Sequence, residues 1–171
     1  MTSNSRPHIA MTDGEIAGFI ERSRTATLAS VGPDGMPHCV AMWYGLIGGS
    51  IYFETKLKSQ KAQKAQNLRR DDRIVCMIEA GDTYDQLRGV AIEGRAIIID
   101  DASDDEYWSA ARSVWERYTG PYSEADRPGL EYMMNKRVVV RIGATRTRSW
   151  DHRKMGLPPM EQAGSTAQAV P

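Results

Sequence analysis

The stretch "IYFETKLKSQKAQKAQNLRRDDRIVCMIEA" (Ile51–Ala80) decides how this chain is read. It opens as a strand, turns cationic and alanine-rich, and closes as a second strand. Between Lys56 and Arg73 it holds four lysines, Lys56, Lys58, Lys61 and Lys64, and three arginines, Arg69, Arg70 and Arg73, opposed only by Asp71 and Asp72. Ala62, Ala65 and Leu68 recur at a spacing of three, which predicts a helix with a narrow apolar stripe. The lysines crowd the start of that helix, where the macrodipole disfavours cations and favours anions. Thr55, Lys58, Ser59 and Lys61 bring hydroxyl and ammonium donors to a strand-to-helix junction whose backbone N–H groups are free. Cations misplaced for a helix are well placed for a phosphate. The competing reading is a surface helix whose lysines are simply solvated.

The rest of the chain makes this basic run a local feature. Its 171 residues are 41% hydrophobic and 26% charged, enough for one domain with a core, and the formal net charge is +0. No global field directs it to nucleic acid or a membrane surface. No apolar run approaches the roughly 20 residues that span a bilayer, and "MTSNSRPHIAMTDGE" lacks the apolar centre of a secretory signal. Cys39 and Cys76 form no CxxC pattern, which predicts a reduced, cytoplasmic protein. His8, His38 and His152 lie far apart in sequence, so no metal site is expected.

Around the basic run, the pattern predicts a helix over Met11–Arg24, with Thr12 as N-cap and Glu15 three residues on. Thr25–Val31 and Met36–Gly45 flank "GPDG" as a hairpin, and a second tight turn, "LIGGS", leads into Ser50–Thr55. These are expected to form a three-strand meander. Arg73–Ala80, Gly89–Asp100 and Arg137–Ala144 read as further strands, and Gly94 marks a bulge or bend. "SDDEYWSAARSVWERY" is a helix with Ser103 as N-cap and Trp108, Ala111, Val114, Trp115 and Tyr118 inward. "TGPYSEADRPG" reads as loop and "LEYMMNKR" as a short helix. Six antiparallel strands with flanking helices predict a small closed barrel, mainly β with an α+β arrangement. There is no βαβαβ rhythm and no GxGxxG, which argues against a dinucleotide fold. The ordered domain is expected over residues 11–157, with flexible ends at 1–10 and 158–171.

"YFETKLKSQK…NLRRD", the hairpin "LASVGPDGMPH" and the late segment "RTRSWDHRKMGLPPM" together resemble the pyridoxamine 5′-phosphate oxidase-like split β-barrel superfamily. The resemblance is nearest to its actinobacterial branch of oxidoreductases that use coenzyme F420, a deazaflavin, and it runs from about Met11 to Met160. It implies a homodimer with the cofactor in a groove between two barrels. Thr55, Lys58, Ser59, Gln60 and Lys61 would cradle its phosphate, and Ala41, Met42 and Trp43 would run nearest the ring. The "SWDHRK" segment, with Trp150, would come from the partner chain or close the groove, and is equally suited to a structural clasp. "AQKAQ" separates Lys61 from Asn67, a longer spacing than usual, so either Lys61 or Lys64 takes the second lysine position.

Other readings of the same residues stand beside these. Trp43 and Tyr44 are core or interface aromatics on a strand. Asp151 and His152 have the sequence of an acid–base pair, but neighbours on an extended segment point to opposite faces. The function these observations predict is hydride transfer between reduced deazaflavin and a small unsaturated or electrophilic molecule, the cofactor supplying the chemistry. The alternatives are an FMN-dependent enzyme of the same fold, a non-enzymatic cofactor carrier, or a nucleic-acid-binding module. The last is disfavoured because no aromatic platform adjoins the cations.

Overall fold

A computed structural model describes residues 7–56 and 63–161. Helix α1 (Asp13–Arg22) starts on the expected capping box: the Glu15 N–H donates to Thr12 Oγ1 at 3.3 Å, and the Thr12 N–H to Glu15 Oε2 at 2.7 Å. Strands β1 (Ala26–Val31) and β2 (Pro37–Met42) form the first hairpin in full antiparallel register. β3 (Gly45–Ile47) and β4 (Ser50–Lys56) form the second. Its turn residues Gly48 and Gly49 both have positive φ, 56° and 80°. A two-residue hairpin turn of that kind places side chains in the left-handed region, where glycine is at ease. Helix α2 (Gln63–Arg70), β5 (Arg73–Ala80), β6 (Arg88–Ile99), α3 (Asp105–Tyr118), α4 (Arg127–Met134) and β7 (Arg137–Asp151) complete the order.

The seven strands form one sheet in the order β2-β1-β5-β6-β7-β4-β3, every pairing antiparallel. The sheet thus ends at β2 and β3 and is a split barrel rather than one closed by hydrogen bonds. The expected meander is corrected here: β2 does not pair with β4, and the long strand predicted over Met36–Gly45 breaks after Met42, giving seven strands instead of six. Tyr44 causes the break. It is 1% exposed, and its hydroxyl donates to the Ile20 carbonyl at 2.7 Å, at the end of α1. The Arg117 guanidinium lies 4.7 Å from the centre of its ring. Anchored under the helix end, Tyr44 pulls the chain off the β2 line.

The bulge expected at Gly94 is present as a register shift between Glu93 and Gly94 in the β6–β7 ladder. A Cβ at Gly94 would stand 2.4 Å from the Gly143 carbonyl oxygen, so only glycine lets the two backbones approach. β7 is longer than predicted and takes in "TRTRSWD", which pairs along β6 as far as Arg88↔Asp151. The α3 N-cap is Asp104 rather than Ser103, because Ser103 Oγ is spent on Asp101 Oδ1 at 2.7 Å. The inward face of α3 is Tyr107, Ala110, Ala111 and Val114. Trp108 and Trp115 flank that face, half-buried. Arg127–Gly129, read as loop, begins α4 with Pro128 in its first turn, where a missing N–H costs nothing.

Residues 7–10, counted with the flexible start, are structured: Pro7–Ile9 form a 3-10 turn and Ile9 is 3% exposed. Residues 158–161 are exposed and lack regular structure.

Tyr44→Phe should keep the fold but lose about 1 kcal/mol of stability, because the Ile20 carbonyl loses its short hydrogen bond from the phenol. Urea unfolding followed by circular dichroism measures this.

Candidate functional site

β2 and β4 face each other across the open seam of the barrel. Along β2, alternate residues point inward, so His38, Val40 and Met42 share one wall while Cys39 and Ala41 point out. The end of β4 supplies Glu54, Thr55 and Lys56 as the other wall. Gln63 and Lys64 in the first turn of α2 close one end, and Arg137, which pairs with Lys56 in the β4–β7 ladder, closes the other. The resulting cleft holds about 350 Å³.

α2 is held over this cleft by Asn67, which is fully buried. Its amide donates to Ser30 Oγ on β1 at 3.3 Å and accepts from Gln63 Nε2 at 2.7 Å. Leu68 enters the core beside it. Lys64 sits one turn earlier and points in, its ammonium donating to the Met42 sulfur at 2.7 Å. Burial, and then the charge of Arg137, lower the Lys64 pKa. Among the described residues no carboxylate forms an ion pair with Lys64 or Arg137.

The remaining cations of the basic run behave differently. Arg69 pairs with Asp100 at 2.7 Å and Arg73 with Asp71 at 2.5 Å, while Arg70 donates to the Val31 carbonyl. The far end of α2 is therefore a solvated, neutralised surface, and its near end carries an unneutralised ammonium in a cleft. The two ends of the run thus differ in how their charges are met. Lys58, Ser59, Gln60 and Lys61 lie outside the described residues.

Two polar atoms complete the cleft walls. His38 Nδ1 and Glu54 Oε1 are buried without hydrogen-bond partners. Glu54 is 5% exposed, and burial pushes its carboxyl up to about 7, with the Arg137 charge pulling the other way. A donor-rich cleft with unneutralised cations suits an anion such as a cofactor phosphate. Sequence reasoning found Met42, Thr55 and Lys64. It missed Arg137, whose place depends on the long-range β4–β7 register, and His38 and Glu54, which read as ordinary exposed and strand positions.

The other residues suggested by the sequence lie elsewhere in this chain. Ala41 is on the outer face of β2. Trp43 is 57% exposed and stacks on Tyr118, ring centres 4.3 Å apart. Trp150 lies at the far end of β7 against Gly89, where a Cβ would stand 2.3 Å from its ring. The "SWDHRK" segment is a clasp within this chain: the His152 N–H donates to the Leu87 carbonyl at 2.8 Å, and the ring Nδ1 lies 2.8 Å from the Tyr84 carbonyl oxygen. Asp151 forms a two-bond ion pair with Arg153 at 2.8 and 2.6 Å. Lys154 reaches the Ala10 carbonyl at 2.8 Å and Glu15 at 2.6 Å. Asp151 and His152 thus hold backbone and each make their bonds apart, as adjacent strand residues must.

A family profile described as pyridoxamine 5′-phosphate oxidase matches residues 12–151. The chain belongs to the pyridoxamine 5′-phosphate oxidase family. Among solved relatives, the conserved hypothetical protein Rv2991 of Mycobacterium tuberculosis is 56% identical, with a TM-score of 0.89 over 96% of this chain and 100% of that one. A structure named F420 reductase is 26% identical, with a TM-score of 0.54, over 76% of this chain and 93% of the other. A FAD-binding protein from Mesorhizobium loti, 15% identical over 82% and 93% of the two chains with a TM-score of 0.58, shares the fold. A search of curated proteins found no match. Among the described residues, no helix is long and apolar enough to cross a membrane, and no cluster of three metal-ligating side chains occurs.

In this member of the family the cleft has a stability signature. Glu54 holds its proton in the folded state up to about pH 7, whereas unfolded it releases it near 4.5. Between those values the folded state binds the extra proton, so stability falls as pH rises and levels off above about 7. Glu54→Gln should remove this decline and stabilise the protein at pH 8 by about 2–3 kcal/mol. Chemical denaturation at several pH values measures both.

Proposed function

We propose that this chain is a homodimeric, cytoplasmic oxidoreductase that carries a hydride between reduced coenzyme F420 and a small unsaturated or otherwise electrophilic molecule. The observation that carries this reading is the pair of unneutralised cations, Lys64 and Arg137, in a cleft at the end of β4. The 26% identity to a protein named F420 reductase supports the choice of cofactor. The deazaflavin supplies the hydride chemistry when bound. The chain's own task is to hold its phosphate with Thr55, Lys64 and Arg137, joined by Lys58, Ser59 and Gln60 from the segment between β4 and α2. Val40 and Met42 keep one wall apolar, which excludes water and positions a ring.

The proposed dimer is supported by where the remaining candidates stand. Ala41, Trp43 and Trp150 face away from the chain's own cleft, so they serve a shared groove only when a second copy is present. Val75 and Ile97, exposed on the outer faces of β5 and β6, supply apolar surface for that contact. A second reading, a flavin cofactor in the same cleft, is favoured by the fold shared with a FAD-binding protein. The local cations favour the deazaflavin, whose acidic tail adds negative charge.

Lys64→Ala should weaken F420 binding by roughly ten- to a hundredfold, the loss of one charge-assisted hydrogen bond. The parallel Lys61→Ala variant tells which lysine holds the phosphate, since only one should show the large loss. Calorimetric titration with F420 and FMN measures both. Tighter binding of FMN would replace the deazaflavin assignment, and wild-type affinity in both variants would remove the phosphate site.

Binding should also weaken as salt rises, because the cleft is open to a solvent in which charges are screened over about 8 Å at physiological ionic strength. Light scattering that finds a stable monomer with and without cofactor would overturn the shared groove.

A further inference from the structure

Glu54 is an acid in a cleft otherwise built for an anion. Its carboxyl is 5% exposed, and Oε1 has no hydrogen-bond partner. A buried, unsatisfied carboxyl costs free energy that a strand position of this kind could avoid with a valine or threonine. The neighbouring acid on the same face of the sheet makes the contrast plain. Glu106 accepts from the Tyr52 hydroxyl at 2.8 Å and lies 3.4 Å from Arg141, whereas Glu54, two residues along from Tyr52, has no such bond.

The groups around Glu54 come from five elements. Arg137 on β7 is the charge that acts on it most directly. Tyr107 on α3 feels the Glu54 charge, and its own hydroxyl is committed to the Arg137 carbonyl at 3.2 Å. Lys56 on its own strand, Lys64 on α2 and His38 on β2 line the same cleft. Arg137 also acts on Lys64, so one guanidinium stands between the acid and the ammonium.

We propose that Glu54 makes anion binding in this cleft proton-coupled: an anion held by Lys64 and Arg137 is held together with a proton on Glu54. This deepens the proposed function and rests on its placement of a phosphate here. The chemistry is simple. An ionised Glu54 repels an incoming anion and competes with it for Arg137. A protonated Glu54 removes the repulsion, frees Arg137 for the anion, and offers the anion an O–H donor. The proton comes from solvent, and no bond other than O–H is made or broken. Burial already holds the Glu54 proton up to about pH 7 in the empty cleft. An anion beside it raises that point further, because a second negative charge in the cleft opposes ionisation.

Affinity is then independent of pH below about 7. Above it, affinity falls by up to tenfold per pH unit, the slope for uptake of one proton on binding.

The probe is sulfate, whose charge stays fixed from about pH 6 to about pH 9 and therefore titrates nothing itself. Its affinity is read from the chemical shifts of cleft residues in wild type and in Glu54→Gln. Wild type should lose affinity as pH rises above neutral, Glu54→Gln should bind with nearly constant affinity, and the Glu54 carboxyl-carbon titration should move to higher pH when sulfate is present. A flat wild-type profile overturns the coupling. So does a slope that survives unchanged in Glu54→Gln, since a group other than Glu54 then takes up the proton. If sulfate perturbs no cleft residue at any pH, the phosphate site itself is wrong and the coupling falls with it.

Discussion

Across Val138–Val140, β7 has no side to give to water. Val138 and Val140 enter the interior with Phe53 and Ile142, while Val139 between them packs against Tyr107, Leu130 and Met134. A strand buried on both faces must be covered twice, and much of the architecture follows from that demand. α3 and α4 lie over one face, the barrel core fills the other, and β4 and β6 pair along its two edges. Three consecutive valines suit the position because branched side chains pack well on a pleated surface. The register they impose brings Arg137 opposite Lys56 and so to the mouth of the cleft. The core thereby sets the position of a cation it never touches.

The cleft exists because two neighbouring hairpins are not joined. Tyr44, drawn beneath the end of α1, sends the chain from β2 to the opposite edge of the sheet, and the gap left between β2 and β4 is roofed by the first turn of α2. Its electrostatics come from what is missing around its charges. Surface arginines of the same basic run have carboxylate partners within hydrogen-bond distance. Among the described residues Lys64 and Arg137 lack them, and Glu54, on which the Arg137 charge acts, makes no hydrogen bond at Oε1. A set of charges left unsettled by the fold is available to a ligand.

Much of this arrangement was legible in the sequence wherever the signal was local. The Thr12–Glu15 capping box, the "GPDG" and "GG" turns, the Gly94 bulge and the strand Arg73–Ala80 are short-range patterns with definite stereochemistry. The sequence singled out Lys64, which lines the cleft and whose place is fixed by Asn67 and Leu68 three and four residues on. Long-range facts were not legible. Nothing near Tyr44 announces that its hydroxyl will bind a carbonyl 24 residues earlier. The last seven residues of β7, Thr145–Asp151, begin with alternating Thr and Arg and lack an apolar strand pattern, and they become strand because β6 is long enough to pair with them. Glu54 sits in "YFET", where an acid on a strand suggests an outward face. Only the β4–β7 ladder and the cover of α3 turn it inward.

The order in which the strands are made differs from the order in which they pair. β4 leaves the ribosome early, yet one edge waits for β7, 87 residues later by the separation of Phe53 from Val140, and that separation is the kind that slows folding. Until then "SIYFETK" is an apolar strand with an unpaired edge, open to a neighbouring chain. The clasp that ties Lys154 to Ala10 and Glu15, and Ser149 to the Met11 N–H, closes later still. During synthesis, then, Lys64 is in place long before Arg137 can join it. The cleft between β2 and β4 thus becomes whole only with the last described strand.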